Sequence, residues 1–295
     1  MSPDFLSVIV RAAASIALLQ AAGAAMFLWQ FGAGLGPGAA AVRRLGMAAA
    51  LLAVPLLALQ VLLDAARMTG DYAGMLDGEM LRLALGSGSG TAHAVQLAGL
   101  ALVAQGLRRA GSPRAAMAGA AALVVAFVLT GHTAVHGSRW LLAPLLALHV
   151  AIVAFWFGAL APLYMVIARE PVQRACAVLQ RYSRLAGILV PLIPAVGLAM
   201  AFVLLPDLSA LRRPYGLLLG LKLLGFAMLM VLAALNRWRW VPALAAGAAG
   251  AAGARVAPAR TALRRSLVGE YLLIVAVLLA TAVLTTFYSP TMGAA

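Results

Sequence analysis

Four histidines, His93, His132, His136 and His149, fall in one central stretch of a 295-residue chain that is otherwise largely apolar. Imidazole ligates copper, zinc and haem iron, and it is costly to place in lipid without a partner, so these four side chains are the first candidates for chemistry. The run Thr130-Gly131-His132-Thr133-Ala134-Val135-His136 sets two imidazoles at i and i+4. On a helix that spacing shares one face and lets both approach one metal, although Gly131 can fray the helix there. An earlier group, Met68, Asp71, Met75, Asp77, Glu79 and Met80, combines three thioethers with three carboxylates in one loop. These donors suit capture of soft Cu(I) or guidance of Cu(II), while methionine also serves as a plain filler of apolar contacts.

The elements that must position these residues are membrane helices. Hydrophobic residues make up 64% of the chain and charged residues only 10%, with mean hydropathy +1.01; soluble domains carry roughly 25% charged residues. A bilayer core of about 30 Å needs roughly 20 apolar residues per helix. About eight such runs are present, near 5–34, 46–66, 89–107, 115–135, 140–167, 185–205, 214–236 and 267–288. The expected fold is therefore all-α, a polytopic integral membrane helix bundle of about eight transmembrane helices forming a single transmembrane domain over 1–295. The first run is longer than a signal-peptide core and has Asp4 where a positive segment belongs, so it is expected to stay as a helix. The Ala/Gly stretch Ala245 to Ala257 reads as a connection.

The net charge of +14 resides almost wholly in arginine. Fifteen arginines, among them Arg43, Arg44, Arg108, Arg174, Arg237 and Arg264, follow the odd-numbered runs, against Arg67, Arg82, Arg139, Arg212 and Arg213 on the other side. The positive-inside rule then places those fifteen arginines in the cytoplasm and predicts that both termini face outward, in a multi-pass protein bounded by lipid. This charge is a topology signal and not a nucleic-acid footprint. The topology also grades the histidines by depth. His93, His132 and His136 lie at the outer mouth, and His149 lies about nine residues into the fifth run, roughly 14 Å at 1.5 Å per residue.

Two isolated charges lie inside apolar runs. Lys222, the only lysine, is about eight residues into the seventh run. It must snorkel, pair or face a wet cavity. Glu270 follows Arg264 and Arg265, which predicts a structural ion pair. The lone Cys176 excludes a disulfide framework and reads as a free cytoplasmic thiol. There is no phosphate loop, hence no ATP chemistry expected, and no His-Glu-x-x-His protease motif.

Several runs together resemble the CopD family, copper resistance protein D of the bacterial inner membrane. They are Thr130-Gly131-His132, His149, Trp156-Phe157-Gly158-Ala159-Leu160-Ala161-Pro162-Leu163, Arg181-Tyr182-Ser183-Arg184, Tyr215-Gly216 through Lys222 to Asn236-Arg237, and Leu263-Arg264-Arg265-Ser266-Leu267-Val268-Gly269-Glu270, with Pro290 following. The resemblance is strongest over 130–290; the first 115 residues match mainly in hydropathy. It implies a non-enzymatic protein that handles the copper ion between periplasm and cytoplasm, with a separate periplasmic CopC-like copper-binding protein as partner. By position it implies His132 and His149 as metal-handling residues, and Lys222, Asn236 and Glu270 as family-typical positions; His93 and His136 are added from this sequence alone.

Three readings follow. In the first, copper is collected at the outward His/Met site and passed to His149. In the second, the same four histidines hold haem b as axial ligands of a membrane cytochrome. In the third, they only pack.

Overall fold

The computed structural model describes residues 2–108, 111–131, 136–204, 214–248 and 256–287. Among these residues every regular element is helical. The order is α1 (Pro3–Phe31), α2 (Pro37–Thr69), α3 (Gly78–Gly86), α4 (Gly88–Leu107), α5 (Pro113–Val128), α6 (Arg139–Arg169), α7 (Val172–Leu189), α8 (Leu192–Leu204), α9 (Pro214–Leu235), a π-helical turn (Asn236–Trp240), α10 (Val241–Ala248) and α11 (Val256–Phe287). Short 3₁₀ turns at Gly32–Gly34 and Tyr72–Leu76 link the early helices.

Starts and stops follow local chemistry. Pro3, Pro37 and Pro113 occupy first turns, where a missing N–H costs nothing. Ser87, Ser112 and Asp77 cap α4, α5 and α3 through side-chain oxygens. Gly70, at φ 75°, stops α2 in the left-handed conformation that glycine alone adopts freely.

Among the described residues six stretches are long and apolar enough to cross a membrane: Pro3–Gly34, Pro37–Thr69, Arg139–Arg169, Val172–Leu204, Gly216–Ala246 and Val256–Phe287. Two of the eight expected runs fall short of that standard. The antiparallel pair α4 and α5 contains a 20-residue helix interrupted by His93, Gln96 and Gln105, and a 16-residue helix. The α5 helix stops at Val128, before the expected end at 135, and Gly131 at φ 83° turns the chain. His136 consequently lies outside both α5 and α6, so the one-face geometry expected for i and i+4 does not hold for it; His132 lies outside the described residues.

The centre of the bundle is the contact of α1 with α6, the two most buried spans. Gly23 and Gly158 meet so closely that a Cβ on Gly158 would stand 2.4 Å from the Gly23 Cα. Beside them the Gln20 side-chain amide donates to the Gly158 carbonyl at 3.0 Å in a buried hydrogen bond. Small residues and a polar clamp are what let helices associate in lipid, where no hydrophobic force draws them together. The three residues before Gly158 reach the other helices. Phe155 stacks on Tyr182 of α7, Trp156 meets Phe226 of α9 edge-on, and Phe157 stacks on Tyr271 of α11 at 4.7 Å.

At the arginine-rich end, Glu170 just after α6 accepts from Gly38 N at 2.7 Å and Gly36 N at 3.0 Å, capping α2 from a distant part of the chain. Its other oxygen pairs with Arg174 at 2.9 Å. Burial by itself would push this carboxyl up, but the Gly38 N–H, the Arg174 guanidinium and the Gly36 N–H outweigh it and hold it below its ordinary value of 4.5. Arg260 donates to the Ile167 and Glu170 carbonyls and Arg264 to the Tyr164 hydroxyl, so α11 closes the carbonyl end of α6.

Two outcomes follow for purified protein in detergent. Gly158→Ala drives its new methyl into α1 backbone and lowers stability by about 3 kcal/mol, whereas Gly220→Ala, with open space around it, leaves the melting temperature unchanged; equal melting of the two variants would contradict the crossing. Glu170→Gln destabilises at neutral pH. Because the folded carboxyl lies below its ordinary value, that deficit is full above about pH 4.5 and disappears as the pH falls through the folded value. A deficit independent of pH would exclude the ionised cap.

Candidate metal-handling sites

The polar residues inside the bundle gather at three levels. The first lies where α1 begins, α2 ends and α4 begins. His93 on α4 is 8% exposed, and its Nδ1 stands 2.9 Å from Gln96 Oε1, one turn along the same helix. A carbonyl oxygen can only accept, so Gln96 holds a proton on Nδ1, and Nε2 is the nitrogen turned toward α2. Nε2 faces Ser89 Oγ at 3.4 Å and Asp64 Oδ2 at 4.0 Å, and Ser89 donates to the same Asp64 oxygen at 3.0 Å. Arg11 and Arg67 approach the other Asp64 oxygen at 3.9 and 4.0 Å, and Arg67 bonds Asp4 at 2.8 Å.

Sequence reasoning picked out His93 but missed Asp64, Arg11, Ser89 and Gln96 as its neighbours. The available signal was a single charge within each of two apolar runs, Arg11 in the first and Asp64 in the second. The arrangement sets an imidazole, held from behind through Nδ1, beside a carboxylate that Ser89, Arg11 and Arg67 also approach.

The Met and acid loop lies at the same end. Its carboxylates have structural work: Asp71 caps the Tyr72–Leu76 turn, and Asp77 Oδ1 accepts from Glu79 N at 2.9 Å and Met80 N at 3.2 Å. Met68 is exposed, Met75 and Met80 are half-buried, and Glu79 projects from the first turn of α3. His136 is bound locally, its Nδ1 accepting from Ser138 N at 3.0 Å.

The second level is His149 on α6. Its Nδ1 is buried and has no hydrogen-bond partner. The ring faces the Ile193 backbone of α8, lies near Gly197, and feels the Lys222 ammonium of α9. Lys222 has no acid within ion-pairing distance among the described residues. His93 thus turns toward α2, and His149 toward α8 and α9. Among the described residues no three of His, Cys, Asp and Glu come together. Haem held between these two histidines has no support in such an arrangement.

The third level is Glu270 on α11, 2% exposed. The expected ion pair with Arg264 and Arg265 is absent. At 100° per residue those arginines lie about 240° and 140° round the helix from Glu270, and Arg264 turns to Tyr164. Glu270 instead accepts from the Asn236 side-chain amide and lies beside the Trp156 indole.

Two family models match the chain. Copper resistance protein D-like, N-terminal domain, matches residues 1–141, and Copper resistance protein D matches residues 176–284. No curated protein and no solved structure gives a match. The first match takes in α1 to α5, which hydropathy alone had connected to the family. The second takes in most of α7 and the helices after it. With the two in chain order around α6, this multi-pass helical protein belongs to the CopD family of copper resistance membrane proteins.

Proposed function

We propose that the protein moves copper across a bacterial inner membrane, admitting it at the end where α1 begins and passing it inward by way of His149. The observation that carries this reading is the bare, buried Nδ1 of His149. A polar atom in the bundle interior without a partner costs free energy, and an imidazole lone pair is a good ligand for either copper oxidation state. His93 with Asp64 supplies a two-ligand entry site, and Met68, Met75 and Met80 with Asp71, Asp77 and Glu79 form the surface that collects the ion before it. His132 and His136 belong to the same mouth in this reading.

Orientation comes from arginine. With α4 and α5 counted as shorter crossings the chain spans eight times, both termini face the periplasm, and the arginine-rich end faces the cytoplasm. Twenty residues of α4 reach about 30 Å, enough for a hydrocarbon core. A periplasmic CopC-like carrier then meets the protein at the Met and acid loop. Transport, not bond-making chemistry, is the activity.

Metal analysis and an optical spectrum on one purified sample test the reading. Wild-type protein equilibrated with copper binds it, and shows no Soret band after expression with ample haem. His149→Ala loses copper from the bundle, and Gln96→Leu, which leaves every imidazole in place, weakens copper binding about tenfold by freeing the His93 tautomer. Unchanged copper content and cellular copper accumulation in both variants would overturn the pathway.

A further inference from the structure

The Glu270 level is not used by that pathway, and its chemistry differs from that of the histidines. A cavity of about 590 Å³ is lined by Trp156, Tyr182, Asn236, Arg237, Trp238 and Glu270, with apolar side chains making up most of the remaining wall. Arg237 and Trp238 at its rim are exposed, whereas Glu270 is 2% and Asn236 9% exposed at its floor. The carboxyl group therefore lies deep in the bundle yet borders a space that leads to the arginine-rich end.

Among the described residues no cation pairs with it. From α6 it meets the Trp156 indole, and from the π-helical turn the Asn236 amide, both neutral donors. From α7 it faces Tyr182, whose hydroxyl lies 3.5 Å from the Trp156 carbonyl. Arg237, which lines the cavity, donates to the Ser183 carbonyl, and Arg264, on the same helix as Glu270, donates to Tyr164. A structural carboxylate in this setting would be expected to hold an arginine; this one is kept apart from two.

Asn236 supplies the second observation. Its Nδ2 donates to Glu270, while its Oδ1 is buried with no partner. A carboxylate can only accept, so it uses the amide N–H and leaves the amide oxygen bare; a protonated carboxyl has an O–H, which that oxygen can accept once the amide turns over. Asn236 can thus partner both protonation states, which neither an arginine nor an aliphatic side chain could do. It also opens the π-helical turn, a local widening that recurs at functional sites.

We infer that Glu270 is a proton-binding site, reached through the cavity from the arginine-rich end, with Asn236 as the positioning residue that serves its charged and neutral forms. The ligand is the proton itself: the Glu270 O–H bond breaks, the proton leaves by the cavity to water, and the carboxylate remains on the Asn236 donor beside the Trp156 indole. Its use, release of a proton as copper enters the bundle, rests on the transport reading above.

Acid-minus-alkaline infrared difference spectra of the full-length protein in lipid nanodiscs, free of copper, test the site directly. The expected result is a protonated-carboxyl C=O band that comes and goes with pH, is missing in Glu270→Gln and is displaced in Glu270→Asp. Asn236→Leu shifts its midpoint by about one pH unit, tenfold in proton affinity. Identical spectra for wild type and Glu270→Gln would overturn the site, and an unmoved midpoint in Asn236→Leu would overturn the role of Asn236. Should Glu270→Gln not survive purification, Glu270→Asp decides, an undisplaced band counting against the proposal. Adding copper(I) or copper(II) in weak buffer with a pH dye then reads the coupling: protons released by wild type and not by Glu270→Gln support it, and no release overturns it. A band that titrates in protein that binds no copper would sink the transport reading and leave the proton site standing.

Discussion

The bundle depends on the approach of α1 to α6 at Gly23 and Gly158. In lipid a helix gains nothing by hiding apolar side chains, since the surroundings are as apolar as they are, and association must come from close packing and hydrogen bonds. Two glycines let the backbones touch, and the Gln20 amide, with nowhere else to satisfy its donors, locks the register. Because Phe155, Trp156 and Phe157 precede Gly158 directly, the same few residues that fix α1 also aim rings at α7, α9 and α11. The two family matches stop on either side of most of this helix, at 141 and 176, so α6 is the physical joint between them.

A second constraint acts at the arginine-rich end. Arginine there has a structural use beyond biasing topology. Arg260 spends its guanidinium donors on backbone carbonyls at the end of α6, Arg237 donates to the Ser183 carbonyl within α7, and Arg174 secures the carboxylate that caps α2. Arg260 and Arg174 thereby serve groups that a helix terminus leaves open. Arginine suits this because its donors are fixed in a plane and its charge does not depend on pH. The positive charge read as an address is, residue by residue, also the stitching of the helix ends.

Much of this was legible in the sequence. Apolar run length gave the helical membrane class, and six of the eight expected runs overlap stretches that meet the length and hydropathy of a span. The exceptions have local causes: His93, Gln96 and Gln105 dilute α4, and Gly131 ends the segment that α5 was expected to continue. Spacing within one helix also foresaw the wrong partner for Glu270, because proximity in sequence says little about which helix a side chain will face. Asp64 with His93, and Asn236 with Glu270, are separated by 29 and 34 positions. Pairings of that kind are set by helix packing, and one sequence supplies only the weaker hint that a lone charge in an apolar run needs a partner.

The spread of polar groups through the bundle fits a moving cation better than a resident one. A resident metal is held by three or four ligands in closed geometry, which makes release slow. Conduction asks for sites that bind well enough to admit an ion and weakly enough to let it go. In the proposed pathway His93 with Asp64, and His149 with its bare Nδ1, would be sparse sites of that second kind, and among the described residues they face different helices instead of converging. Lys222 beside His149 works in the same direction, since a nearby ammonium lowers the residence of any cation on that imidazole. On the proposed transport reading, what looks incomplete as a metal centre is coherent as a set of steps.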